Sequence, residues 1–170
     1  MKLFRAFNGS MQTTAAPAKV ATGTAIKTMM QLAPAANSSI LIIEWGISFD
    51  GSAAATPGMV ELIETDVAAT VTAFVAADLS KYGDANDDAS LLTLGTSASG
   101  YTATVEGSTT AVRTGDSQLI APTNQYVKQF PLGQEFKVRA GKFARVRVTF
   151  GAGVNAHTYI IVAPREGRVD

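Results

Sequence analysis

The chain has 170 residues, 46% of them hydrophobic and 16% charged, with no cysteine and a formal net charge of zero. That content supplies one β domain with a full core and argues against intrinsic disorder. The missing cysteine excludes a disulfide framework and a thiolate metal centre. The zero sum hides a segregation: residues 1–43 carry +4, residues 44–116 carry −9 and residues 117–170 carry +5. Such blocks make complementary patches toward a partner only if the strands that carry them do not interleave in space.

In chain order, residues 1–18 read as an N-terminal arm ahead of a β-sandwich domain over 19–170. Within the arm, residues 2–7 are a short strand or a free segment, depending on what they dock against. Arg5 and Asn8 break the apolar residues there, so no secretory signal is expected. The aliphatic run 40–43 is too short to span a bilayer. Residues 20–32 alternate as one long strand with a bend at Gly23, ended by Pro34. Residues 39–49 (SILIIEWGISF) are the most hydrophobic segment and read as a buried strand, with Trp45 as a core anchor. Residues 59–65 and 70–75 are further strands, with a bulge or corner at 66–69. A helical reading of 67–79 is opposed by β-branched Thr70, Val71, Thr72 and Val75.

A polar lobe follows around residues 80–118, its first part (80–100) read as a surface excursion or interaction loop. Strand-like pieces lie at 101–105, 109–113 and 118–120. The last third alternates strictly. Ala144, Val146, Val148 and Phe150 face one way, and Phe143, Arg145, Arg147 and Thr149 the other. Gly151, Gly153 and Asn155 then suit a reversal into a strand over 157–163, so a hairpin is expected as the spine of the fold. About eight strands with Gly and Pro turns predict an all-β, single-domain antiparallel sandwich, jelly-roll-like first and immunoglobulin-like second.

Residues with chemistry are few. His157 is the sole histidine and has no serine or aspartate motif beside it, so a packing role outweighs acid–base work. Asp84, Asn86 and Asp88 have the spacing of the first half of a calcium loop. Ala89 and Gly95 stand where that loop needs Gly and Glu, so Asx turns are the simpler reading. The expectation is no catalytic residue, no metal and no cofactor. Lys137, Arg139, Lys142, Arg145 and Arg147 are the densest basic group. Zero net charge and few stacking aromatics turn them away from nucleic acid and toward a solvated face or a protein contact.

With the strands placed, the order VELIETDVAATVTAF, a variable lobe, and then QFPLGQEFKVRAGKFARVRVTFGAGVNAHTYIIV resembles a family of small β-sandwich proteins encoded in tailed-phage genomes. Pro131-Leu132-Gly133-Gln134-Glu135, Arg145 to Val148, and Val154-Asn155 through Tyr159 carry the resemblance. It spans residues 40–163 and leaves the arm unmatched. The resemblance implies a capsid decoration (cement) protein, trimeric in its relatives' manner, that binds the major capsid protein from outside the shell after assembly in the host cytoplasm. It implies neither nucleic-acid nor membrane binding. Lys2, Phe4, Arg5 and Phe7 of the arm, with Arg145 and Arg147, are the expected partner contacts. The competing expectation is a carbohydrate-binding, lectin-like or host-adhesion module using Tyr82, Tyr101 and Tyr126 with Asn124.

Overall fold

The computed structural model describes residues 2–11, 14–108 and 110–165. Met1, Gln12, Thr13, Thr109 and residues 166–170 lie outside the described residues. They fall in the arm, in the strand expected over 109–113 and in the basic C-terminal block.

Period-two alternation of apolar side chains gives strands throughout: β1 (Phe4–Phe7), β2 (Val20–Ala21), β3 (Lys27–Leu32), β4 (Ser39–Phe49), β5 (Gly58–Thr65), β6 (Thr70–Ala73) and β7 (Ser80–Lys81). β8 (Gly100–Val105), β9 (Arg113–Ile120), β10 (Gln125–Gln129), β11 (Phe136–Val138), β12 (Phe143–Thr149) and β13 (Asn155–Arg165) follow. The only helical piece among the described residues is a 3-10 turn, Ala76–Asp78. Buried Asp78 pins it, accepting the Val75 N–H and the Met11 N–H at 2.9 Å each. No helix among the described residues is long and apolar enough to cross a membrane.

The strands form two packed antiparallel sheets. One runs β10-β4-β13-β1-β7, with β11 also on β4 and β2 also on β13; the other runs β6-β8-β3-β12-β5-β9. The expected antiparallel β-sandwich is what the chain forms. The expected C-terminal hairpin is not. β12 lies between β3 and β5 in one sheet, while β13 lies between β4 and β1 in the other, so Gly151–Gly153 crosses the sandwich. Among the described residues, no two consecutive strands are paired with each other. The apolar faces of β12 and β13 are still buried, because each faces the other sheet in the shared core.

The same crossing divides the segment read as one strand over 20–32. β2 pairs with β13 and β3 with β12, with Gly23 at φ +68° between them. The bend expected at Gly23 is therefore a change of sheet. A bulge in the β3–β12 register then sets Thr28 opposite Arg147, whereas Met30 faces Val146 in the core. Between the sheets, Trp45, Ile42, Met30, Leu62, Val146, Val148, Phe150 and Ile160 are fully buried.

Two further expectations are corrected. The N-terminal segment is no free arm: β1 pairs residue for residue with β13, from Phe4 opposite Val162 to Phe7 opposite Tyr159. Phe4 and Ala6 are buried in the core as a result. The 80–100 stretch is not wholly a surface excursion either. Its β7 extends β1, Leu92 is buried, and Leu94 packs against the core.

Candidate functional site

Residues in register across a sheet share a face, so the β1–β13–β4 pairing decides what stands on the outer surface of that sheet. Arg5 lies opposite Ile161, which lies opposite Glu44; Phe7 lies opposite Tyr159, which lies opposite Gly46. Gly46 is required there. A Cβ at that position would sit 2.5 Å from the Tyr159 Cε1, so the bare backbone lets the ring lie across the strand. Tyr159 Oη donates to Glu44 Oε1 at 2.5 Å, and burial, the bond to Glu44 and its negative charge together push the phenol's pKa up to about 12.

Over this floor lies the Arg5 guanidinium. Its carbon is 4.2 Å from the Tyr82 ring centroid, 5.3 Å from that of Tyr159 and 6.0 Å from that of Phe7. These distances are those of cation–π contact. Tyr82 arrives from the residue after β7, which pairs with β1. Phe7 is stacked in turn on His157, with ring centroids 5.4 Å apart. Burial alone lowers the pKa of His157, because the imidazolium would lose water without gaining a carboxylate.

Among the described residues, the Arg5 guanidinium meets rings and no hydrogen-bond acceptor. Its Nε is buried without a hydrogen-bond partner. Arg113, Arg139, Arg145 and Arg147, by contrast, all donate to acceptors of the protein itself.

The other expected contacts lie elsewhere. Phe4 is in the core, and Lys2 Nζ pairs with Asp88 at 2.6 Å. Arg145 and Arg147 do share the outer face of the second sheet, as their alternation predicts, but neither is a free surface group. Arg145 is wholly buried, with segments 66–69 and 106–108 over it. It donates to Gln31 Oε1 at 3.1 Å and to the carbonyl oxygens of Glu106 (3.0 Å), Ser108 (3.3 Å) and Val67. Arg147 is 9% exposed and pairs with Glu61 at 2.8 Å. Alternation separates two faces of a strand; it carries no information about which loops cover them.

The three tyrosines considered as a sugar platform do not meet. Tyr82 covers Arg5, Tyr101 tilts against Phe74 and shares a hydrogen bond with Ser10, and Tyr126 packs edge-on to Trp45 with its hydroxyl on Asp116. Asp84 accepts the Asn86 N–H at 2.8 Å, the Asx turn expected there, while Asp88 is held by Lys2. Among the described residues no group of three or more His, Asp or Glu side chains is placed to hold a metal ion. A shallow cleft of about 490 Å³ beside Asp50, Gly51, Ser52 and Gly153 holds one carboxylate. Hydrogen bonds from Lys19 and then Asn155 keep Asp50 below its ordinary pKa.

Arg5 and Phe7 were expected contacts from the sequence; Tyr159 and Glu44 join them only in the fold. The available signal was Gly46 in the middle of a hydrophobic strand, which marks the close approach of something large. The chain matches no protein-family model, no curated protein and no solved structure.

Proposed function

We propose that this chain is a structural virion protein of a tailed phage, without enzymatic activity, that decorates the capsid exterior as a trimer and braces the shell. The observation that carries this reading is Leu132. It is 89% exposed, at the tip of the turn built by the same Pro131 to Glu135 residues that carry the family resemblance. Gln134 N–H donates to the Pro131 carbonyl at 2.9 Å, Gly133 N–H donates to Glu135 Oε1 at 3.0 Å, and Gly133 takes φ +82°. A positive φ at the third position is what a type II turn demands. The turn therefore holds a leucine out in water, where only a partner can cover it. Covering such a side chain contributes roughly 2 kcal/mol.

Leu132 follows β10 in the chain, and the edge strands β9 and β10 carry two further exposed aliphatic side chains, Leu119 at 65% and Val127 at 52%. Among the described residues, strand β9 has a strand partner on one side only, β5. An eight-residue edge beside exposed aliphatic groups suits a contact between copies of the chain. Many such subunits on one shell stabilise it through multivalency even when each contact is modest.

The test is co-sedimentation with expanded capsids that lack the protein, alongside sedimentation equilibrium of the free chain and of Leu132→Ser. A trimer that binds at a fixed ratio to the major capsid protein, with Leu132→Ser weakened in either property, supports the reading. A monomer that ignores capsids overturns it, and retention on a glycan array by that monomer transfers the assignment to carbohydrate binding. Deleting the N-terminal residues is the wrong variant, because it removes β1 and two core side chains.

A further inference from the structure

We propose that Arg5, held in its aromatic clamp, is a receptor for a carboxylate side chain presented by an acidic segment of a partner protein. On the decoration reading, that partner is the capsid shell; this clause alone rests on that reading.

The inference starts from an imbalance. A guanidinium carries five N–H donors in a planar fork, and burying part of it costs free energy unless those donors find acceptors. The chain meets that demand at Arg113, Arg139, Arg145 and Arg147 with carboxylates or carbonyls. At Arg5 it supplies three rings, and the Nε is left buried and unpartnered. The nearest carboxylate in the same cross-strand row, Glu44, is taken by the Tyr159 hydroxyl. The clamp thus fixes the plane of a cation that faces rings on one side and whose Nη donors meet no acceptor among the described residues. A pre-oriented fork of this kind matches the two oxygens of a carboxylate.

A sugar is disfavoured by the same geometry. Stacking a pyranose needs an open aromatic platform, and of these rings only Tyr82, 48% exposed, offers a free side. The guanidinium lies over Tyr82, Tyr159 lies across Gly46 and under Arg5, and Phe7 stacks on His157. What remains to be satisfied is charge and hydrogen bonding. An acidic protein segment supplies both, and its attraction to Arg5 is strongest at low ionic strength.

The probe is a hexa-aspartate peptide capped at both ends, titrated into the isotope-labelled full chain while the arginine Nε–H resonances are followed. A saturable shift of the Arg5 Nε–H is expected, together with weakening of about tenfold or more in Arg5→Gln and in Arg5→Lys, which keeps the charge but not the fork. Tyr82→Ala, which opens the clamp while leaving Arg5, should also weaken the peptide. Because the Arg5 guanidinium makes no hydrogen bond to the described residues, Arg5→Gln should keep its thermal midpoint within a few degrees of the parent's. An unmoved Arg5 resonance, shifts spread equally over the exposed lysines, or tighter binding of a hexagalacturonate overturns the inference. Capsid binding by the parent that Arg5→Gln leaves unchanged also overturns the inference while the decoration reading stands. Peptide binding without capsid binding does the reverse.

Discussion

Arg145 on β12 lies directly opposite Gln31 on β3, and its Nε donates to the Gln31 side-chain oxygen at 3.1 Å. Gln31 closes the network with its other groups. Its Oε1 also accepts the Ala69 N–H at 2.8 Å, and its Nε2 donates to the Ala98 carbonyl at 2.6 Å. Two buried polar side chains therefore tie the segments before β6 and after β8 onto the outer face of the sheet. Full satisfaction is what makes such a burial tolerable.

Arg145→Ala should accordingly destabilise the protein by about 3–5 kcal/mol, since it strands Gln31 and several loop carbonyls away from water. Urea unfolding measures this. A cost under about 1 kcal/mol would mean that water enters beneath the loop and replaces the guanidinium.

Glu64 gives an acid-sensitive contact. It is wholly buried, 2.8 Å from Arg113 and 3.2 Å from Arg139. Burial pushes its pKa up, but hydrogen bonds from Arg113 and Arg139 outweigh that, and the net shift is below the usual 4.5. A depressed folded-state value means that the contribution is present above the unfolded pKa and is lost as pH falls below 4.5 through the folded value. At pH 7, Glu64→Gln should cost about 2 kcal/mol. Below pH 4 the difference between variant and parent should shrink, as denaturant melts at the two pH values would reveal.

His157 responds in the opposite chemical sense with the same direction in pH. Its folded pKa lies below 6.5, so the unfolded chain binds the proton first as pH falls. Stability contributed by neutral His157 is therefore present above 6.5 and declines through the interval down to the folded value. An NMR titration should give a midpoint below 6.5. His157→Phe, which keeps a ring against Phe7, should remove this part of the acid sensitivity; an unchanged stability profile would assign it to other groups.

Gly46→Ala should cost about 1–3 kcal/mol, because the new methyl meets the Tyr159 ring at 2.5 Å. The ring can yield only by leaving Glu44, so the hydroxyl's pKa should fall from about 12 toward 10 in a spectrophotometric titration. A stable variant with an unaltered tyrosine titration would show that the backbone gives way instead.

Local pattern was legible in the sequence. β4 occupies the predicted residues 39–49, and the inward Ala144, Val146, Val148 and Phe150 are all buried. Both follow from the two-residue period of a strand and from the free energy of removing apolar groups from water, which depend on neighbours along the chain. β10 and β11 were illegible because QYVKQ and FKV are short and half polar. Pairing was decided elsewhere. Among the described residues consecutive strands never pair, so the glycines after Phe150 read as a hairpin although they lead to the opposite sheet. The Arg5 site has the same character. Arg5, Glu44, Tyr82 and Tyr159 come from four distant stretches, and only the β1–β13–β4 register sets them on one surface. The sequence by itself determined which side chains seek burial. The long-range packing of two sheets decided which strands meet, which outer faces are covered, and that the Arg5 guanidinium meets rings where that of Arg145 meets carbonyls.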